Sequence, residues 1–307
     1  MKKPLIYLGL ASFITIVIGA LYKISTVLTT NCDAVKDNIS YACNFVLFYS
    51  GGQLGDEQGK LILLAFSLML IVVIPVIVMS VVFPLWYSSK NKNDYKPNWS
   101  HSTIIESLSW SIPILIITVL GYTAYITSHS MDPRKSLIGK YENTKKEELI
   151  IQVVAMDWKW VFFYPKQDIA TVNEIAIPVN TPIKFIITSD TVMNSFFIPE
   201  LGGQIYAMGG MENRLHLISK RKKIMRGISA NYSGFGFAGM KFKVISTSDS
   251  GFENWVKEVK QSTVKFDQAA YSRLRGKQTK DHKVEYFSDI IDNEQFENII
   301  RKYLKTH

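Results

Sequence analysis

Thiols and imidazoles are scarce in this chain. Cys32 and Cys43 are the only cysteines among 307 residues, and the histidines number five. A soft-donor metal centre needs several such groups held on one rigid loop. His216, in RLHLIS, has no second His or Cys at ligand spacing, so a structural role is expected for it. Charge is missing as well, from two long stretches. Leu61 to Trp86 (LILLAFSLMLIVVIPVIVMSVVFPLW) and Leu108 to Ile126 (LSWSIPILIITVLGYTAYI) contain none. That lack excludes an ordinary soluble fold, because roughly 20 consecutive apolar residues suffice for a helix to cross the hydrocarbon core. The net charge of +9 is spread along the chain with no clustered basic face, which excludes a nucleic-acid partner.

Both apolar stretches are read as membrane spans. Lys90, Lys92 and Lys96 between them mark a cytoplasmic loop under the positive-inside rule, which leaves 22–60 and 127–307 outside. Leu5 to Leu21 follows Lys2 and Lys3 and reads either as a retained anchor or as the apolar region of a signal peptide. Cys32 and Cys43 fall in the first external segment, where an oxidising compartment favours a disulfide between them. Lipidation of Cys43 is the alternative, set against by the poor recognition box Ser40-Tyr41-Ala42 and by the distance to the apolar region upstream.

Beyond Ile126 the texture changes. Ile150 to Tyr164, Asn173 to Val179, Pro182 to Ser189, Arg214 to Ser219 and Met240 to Ser246 carry β-branched or aromatic residues at period two, separated by Gly, Pro, Asn and Asp. An antiparallel sandwich is expected. Phe252 to Gln261 and Asn293 to Leu304 have helical spacing and form a C-terminal helical appendix. Gly234, Gly236 and Gly239 spell G-x-G-x-x-G, yet GFGFAG runs into MKFKVIS, a strand pattern, whereas a dinucleotide loop must open a helix.

The stretches GQLGDEQ, LMLIVVIP, PNWSHS, WSIPILI, MDWKWVFFYP, ATVNEIAIPVNTPI, VMNSFFIPELGGQIYAMGGM and SGFGFAGMKFK resemble subunit II of the haem-copper respiratory oxidases. Within that family the chain is most similar to the cytochrome o (bo-type), ubiquinol-oxidising branch. The resemblance implies a membrane-anchored protein, with a transmembrane helical hairpin and an extracytoplasmic all-β cupredoxin-like sandwich. The organisation expected is a signal peptide or N-terminal anchor at 1–28, an external segment at 29–60, the hairpin at 61–126, the sandwich at 127–248 and the helical appendix at 249–307. It also implies a multi-pass location in the bacterial inner membrane with the C-terminal domain periplasmic. The implied partners are a haem-bearing subunit I, further oxidase subunits, membrane lipid and ubiquinol.

The cytochrome c-oxidising branch holds binuclear copper in this sandwich. Laid on this sequence, its ligand positions are Asn194, Ser229, Asn231, Ser233, Phe237 and Met240, of which only the methionine is retained. A thioether alone cannot hold copper and serine hydroxyls replace thiolates poorly. No cofactor is therefore expected in this chain, and the haems and copper are expected in subunit I. Met240 reads as a core residue at the start of a strand, and Trp158 and Trp160 read as packing.

At Glu106 the resemblance implies the mouth of a proton-uptake path into subunit I, while Thr103-Ile-Ile-Glu106 also reads as a capping box; the two roles are compatible. Lys220 to Lys223 (KRKK), where the family has a Pro-Gly turn, reads as a solvated loop, with contact to lipid headgroups or a partner subunit as the alternative. Two other functions stay open at this point: a cytochrome c oxidase subunit with a displaced copper site, and a free-standing membrane-anchored binding module. For the cysteines the expected outcome is an intact mass two hydrogens lighter without reductant than with it. Equal masses would refute the Cys32–Cys43 disulfide.

Overall fold

The computed structural model describes residues 50–87, 100–141, 147–276, 283–292 and 294–304. Leu5 to Leu21, both cysteines and Lys90, Lys92 and Lys96 lie outside the described residues. Two compact units emerge, one holding 60–130 and the other 50–59 with the remainder of the chain from Met131.

Two long helices are α1 (Gln53–Trp86) and α2 (Thr103–Ser130); the first unit takes α1 from Lys60 onward together with α2, and the start of α1 belongs to the second unit. At ~1.5 Å per residue each exceeds the ~30 Å hydrocarbon core. Their apolar side chains face outward all round, Ile71 and Ile117 among them. Hydroxyls along these helices are satisfied internally: Ser80 Oγ donates to the Val76 carbonyl at 2.7 Å and Thr118 Oγ1 to Ile114 at 2.8 Å. A helix in lipid requires that, because no water is present to take the bond. The first helix begins at Gln53, well before the uncharged run, because its polar start finds partners. Asp56 pairs with Lys220 at 2.6 Å, and Glu57 accepts from the Tyr141 hydroxyl at 2.8 Å. Hydropathy alone registers only the apolar part of such a helix.

The second unit contains two sheets. One has the order β11-β3-β2-β1-β5-β8 and the other β4-β10-β9-β6-β7. The strands are β1 (Leu149–Met156), β2 (Lys159–Tyr164), β3 (Ile169–Val172), β4 (Glu174–Pro178), β5 (Ile183–Ser189), β6 (Asn194–Phe197), β7 (Gln204–Ala207), β8 (Asn213–Leu217), β9 (Lys223–Ser229), β10 (Lys241–Thr247) and β11 (Glu285–Phe287). The expected antiparallel sandwich is corrected to a mixed one, since β1 pairs with β5 and β4 with β10 in parallel. Chain crossing between sheets brings these strands together. Asn173, at φ +57°, makes one such corner; its side-chain Oδ1 accepts from Trp160 N at 2.9 Å. Asparagine tolerates this left-handed conformation better than most residues.

Between the sheets lies an aromatic block. Phe196 and Phe242 stack at 5.1 Å, and Trp160 meets them edge-on at 5.3 and 5.8 Å. Gly227 leaves room for the Phe242 ring, which a Cβ there would approach to 1.9 Å. Tyr164 joins the sheets from the side, donating to the Ala176 carbonyl at 2.9 Å and accepting from Ala176 N at 3.1 Å.

The C-terminal appendix is more than an addition. Helices α3 (Asp249–Lys260), α4 (Gln268–Arg275) and α5 (Gln295–Leu304) follow the sandwich, and Leu274, Phe296 and Ile299 close a second core with Val154, Val161, Phe163 and Val172 on the six-stranded sheet. That sheet is thus covered on both faces, so β2 is buried at every position. A near-continuous apolar run is the expected signature of a strand buried on both faces.

Two buried carboxylates fasten the appendix. Glu174 accepts from Trp255 Nε1 at 3.2 Å and from the Tyr286 hydroxyl, and pairs with Lys243 at 3.1 Å. Asp190, whose side chain is fully buried, accepts from the Tyr271 hydroxyl at 2.7 Å and pairs with Lys302 at 2.6 Å. Burial and these carboxylates push both tyrosine pKa values upward. Lys159 is buried beneath α4, where its Nζ donates to the Leu274 carbonyl; desolvation pushes its pKa down, opposed by Asp157 and Glu285. Lys302 is partly exposed, so loss of Asp190 leaves chiefly the buried Tyr271 hydroxyl without its acceptor. Asp190→Ala is therefore expected to lower stability by about 1–3 kcal/mol, with amide exchange rising in α4 and α5 before β1 and β5. Unchanged exchange in the two helices would refute the fastening role.

Candidate functional site

Ser229 ends β9 and Asn194 begins β6, while the loop from Ala230 to Met240, between β9 and β10, carries the other four positions laid against copper ligands, Asn231, Ser233, Phe237 and Met240. Its ends are pinned by backbone bonds from Ala230 N to the Ser195 carbonyl at 3.0 Å and from Ser229 N to the Met240 carbonyl at 3.1 Å. A single 3₁₀ turn at Phe237–Gly239 then feeds β10. The G-x-G-x-x-G pattern thus enters a strand and offers no helix N-terminus to a phosphate.

The first two of those glycines have a different use. Trp158 sits at the tip of the β1–β2 hairpin with φ +62°, a strained conformation for a bulky residue. Its indole lies across the loop. A Cβ at Gly236 would come within 2.3 Å of the ring, and one at Gly234 within 2.7 Å. The glycines are cut to the shape of a tryptophan.

Asn194 and Ser229 are brought together, with Ser229 Oγ donating to Asn194 Oδ1 at 3.2 Å. The amide nitrogen of Asn194 donates to the Val192 carbonyl at 3.0 Å. Asn231 Nδ2 donates to the Tyr232 carbonyl at 3.3 Å, and Phe237 meets the Tyr232 ring edge-on at 5.2 Å. Met240 is fully buried in the inter-sheet core. Ser233 Oγ is buried without a hydrogen-bond partner among the described residues. An unsatisfied buried hydroxyl costs about 1–3 kcal/mol. These side chains do not fit copper: they offer neither thiolate nor imidazole, and the polar ones at Asn194 and Ser229 are spent on each other. Among the described residues no three His, Cys, Asp or Glu side chains gather in a group able to hold a metal ion. His216 serves the structure, with Nδ1 3.0 Å from the Pro133 carbonyl and Nε2 3.4 Å from Glu148.

Glu106 lies in the first turn of α2 in the other unit, exposed, with its carboxylate 3.4 Å from His101 Nδ1. Its backbone N–H bonds the Ser102 carbonyl at 3.0 Å. That bond puts Ser102 at the N-cap and Glu106 one position beyond the place a capping box requires, correcting the Thr103–Glu106 spacing read from sequence. The acid still favours the helix dipole. The His101 contact was not anticipated, although its place five residues before an acid at a helix start could have suggested it. Trp158's left-handed backbone had no sequence signal.

Residues 139–247 match the family model for the periplasmic domain of cytochrome c oxidase subunit II. Cytochrome bo(3) ubiquinol oxidase subunit 2 of Pseudomonas putida is 53% identical over 262 residues, 85% of this chain and 81% of that protein. The protein of the same name from Pseudomonas aeruginosa is 47% identical, over 85% of this chain and 77% of its own length. Ubiquinol oxidase subunit 2 of Acetobacter aceti is 45% identical, over 85% and 83%. Two helices able to span a membrane, a mixed sandwich whose β9–β10 loop offers neither thiolate nor imidazole, and identities of this size over most of the chain lead to one conclusion: the chain belongs to the ubiquinol oxidase subunit 2 family.

Proposed function

We propose that this chain is the non-catalytic subunit II of a proton-translocating ubiquinol oxidase in an aerobic respiratory chain. Ubiquinol oxidation and reduction of oxygen to water take place in its haem- and copper-bearing partner, subunit I. The chain crosses the bacterial inner membrane more than once and holds its sandwich in the periplasm. The observation that carries this reading is the ligand loop: Asn194 and Ser229 satisfy one another where a copper site needs soft donors. Electrons consequently reach the complex from a membrane-borne donor, without passing through the sandwich.

Glu106 is assigned the mouth of a proton-uptake path. Its exposed carboxylate at the start of α2 exchanges protons with bulk water on the cytoplasmic side and passes them inward. Unlike an enclosed general acid, it does not act alone, because water remains as a slower donor.

The purified complex is expected to contain haem and a large polytopic subunit, and to show no near-infrared copper band or copper beyond what subunit I holds. Stoichiometric copper in this chain would overturn the quinol assignment, and purification without haem would favour a free-standing anchored sandwich. Glu106→Ala in the assembled complex is expected to slow oxygen reduction on the order of tenfold, below the ~100-fold typical of an enclosed proton carrier, with haem content unchanged. Equal turnover at all pH values would refute the proton role.

A further inference from the structure

His216 is the fourth residue of β8 and only 5% exposed. Its neighbours Leu215 and Leu217 belong to the inter-sheet core, so strand alternation turns the imidazole to the other face of the sheet. There it meets 131–141, the stretch that follows α2 in the chain, which belongs to the same compact unit as the sandwich and has no helix or strand of its own. The Pro133 carbonyl faces two nitrogens of this one residue, His216 N at 3.1 Å and ring Nδ1 at 3.0 Å. On the far side of the ring, Nε2 lies 3.4 Å from Glu148 Oε1, and Ser136 Oγ donates to that same oxygen at 3.4 Å. One imidazole therefore ties the stretch to the sheet from both of its edges.

The two partners decide which protonation state fits. A carbonyl and a carboxylate only accept, whereas a neutral imidazole has one donor and one acceptor. With the proton on Nδ1, the Nε2 lone pair faces the Glu148 carboxylate; with it on Nε2, the bond to Pro133 is lost. Only the doubly protonated ring donates to both. The charges on the surrounding elements pull in opposite directions. Glu148, whose side chain is 17% exposed, favours the cation. Lys184, half-buried and directly opposite His216 in the β5–β8 ladder, disfavours it. Arg134 and Lys135 on the stretch itself are exposed to water, while Glu147 pairs with Lys166 at 2.8 Å and Arg214 with Glu212 at 2.9 Å.

We propose that His216 is a pH-sensitive clasp. Doubly protonated, it fastens 131–141 to β8 and Glu148; on losing one proton it turns a lone pair on one of its two acceptors, and the stretch loosens. Because the closed form holds the extra proton, acid favours it, and it is lost as pH rises through about 5–8, the range in which histidine changes charge. As subunit II of a proton-translocating oxidase the chain holds this sandwich where the translocated protons arrive, so on that reading turnover itself tightens the clasp.

The test is amide exchange followed by mass spectrometry on the complete resting oxidase in mild detergent. It is run at about pH 5.5 and about pH 8, either side of the ordinary histidine pKa of ~6.5, with rates corrected for the intrinsic effect of pH. The amides of His216, Lys135, Ile138 and Lys140 report, since each is bonded within the clasped region. In the wild type they are expected to exchange on the order of tenfold faster at the higher pH, the weight of one charge-assisted hydrogen bond. Glu148→Gln gives the neutral ring a donor for its Nε2 lone pair, so protection is expected to persist at both pH values. His216→Asn keeps a donor for Pro133 but does not titrate, and is expected to show no difference between them. Equal protection of the wild type at both pH values overturns the proposal, as does a pH difference that survives in both variants. Fast exchange of Glu148→Gln at both pH values would make the contact an ordinary structural one and overturn it too. No quinol is present, so the result stands whatever the electron donor of the complex proves to be.

Discussion

Two sheets of this size stay face to face only where something bulky and rigid fills the space between them, and here that filler is aromatic. Trp160 and Phe162 from β2, Phe185 from β5, Phe196 from β6 and Phe242 from β10 meet with ring centroids between 5.1 and 6.4 Å apart. Edge-on and offset contacts of this kind add about 0.5–1.5 kcal/mol per pair beyond burial. The ligand-loop geometry descends from this block. Phe196 and Phe242 lie two residues after Asn194 and Met240, so the two rings fix the start of β6 and the exit of the loop into β10. Gly227, opposite Phe242 in the β9–β10 ladder, completes the arrangement by yielding its side-chain volume.

The loop between β9 and β10 is held in shape from several sides. Trp158 closes it from outside, Met240 from inside, and the Ser229–Asn194 bond bridges it across. The Ser233 hydroxyl is buried inside it with no hydrogen-bond partner among the described residues. These contacts hold the loop through its own side chains and backbone.

Much of this was legible in the residues. Leu61 to Trp86 and Leu108 to Ile126 announced the long helices because lipid tolerates almost no charge, a constraint stronger than any local propensity. The strand after the G-x-G-x-x-G stretch was legible too, since the period-two pattern of MKFKVIS becomes β10. Less was visible where tertiary packing decided the outcome. The strands β3, β6 and β7 have four residues each, too short for a period to show. The parallel pairings depend on which sheet a strand enters after a corner such as Asn173, and one residue's φ is not written in hydropathy. Helix α4 was missed because its buried residues, Ala270, Tyr271 and Leu274, make only two turns of pattern. The His101–Glu106 contact and the Asp190 cluster escaped for a related reason: each is a meeting of side chains that composition treats separately.

The match to the periplasmic-domain model stops at residue 247, the end of β10, which suggests a natural place to cut the chain for expression of a water-soluble fragment. Asp190 and Glu174 argue for a different boundary. A fragment ending there would strip Tyr271, Lys302, Trp255 and Tyr286 from two carboxylates and uncover Val161, Phe163 and Val172 to solvent. The smallest piece able to keep its own interior dry extends through α5, so what looks like an accessory tail in homology is, in physical terms, the outer wall of the domain.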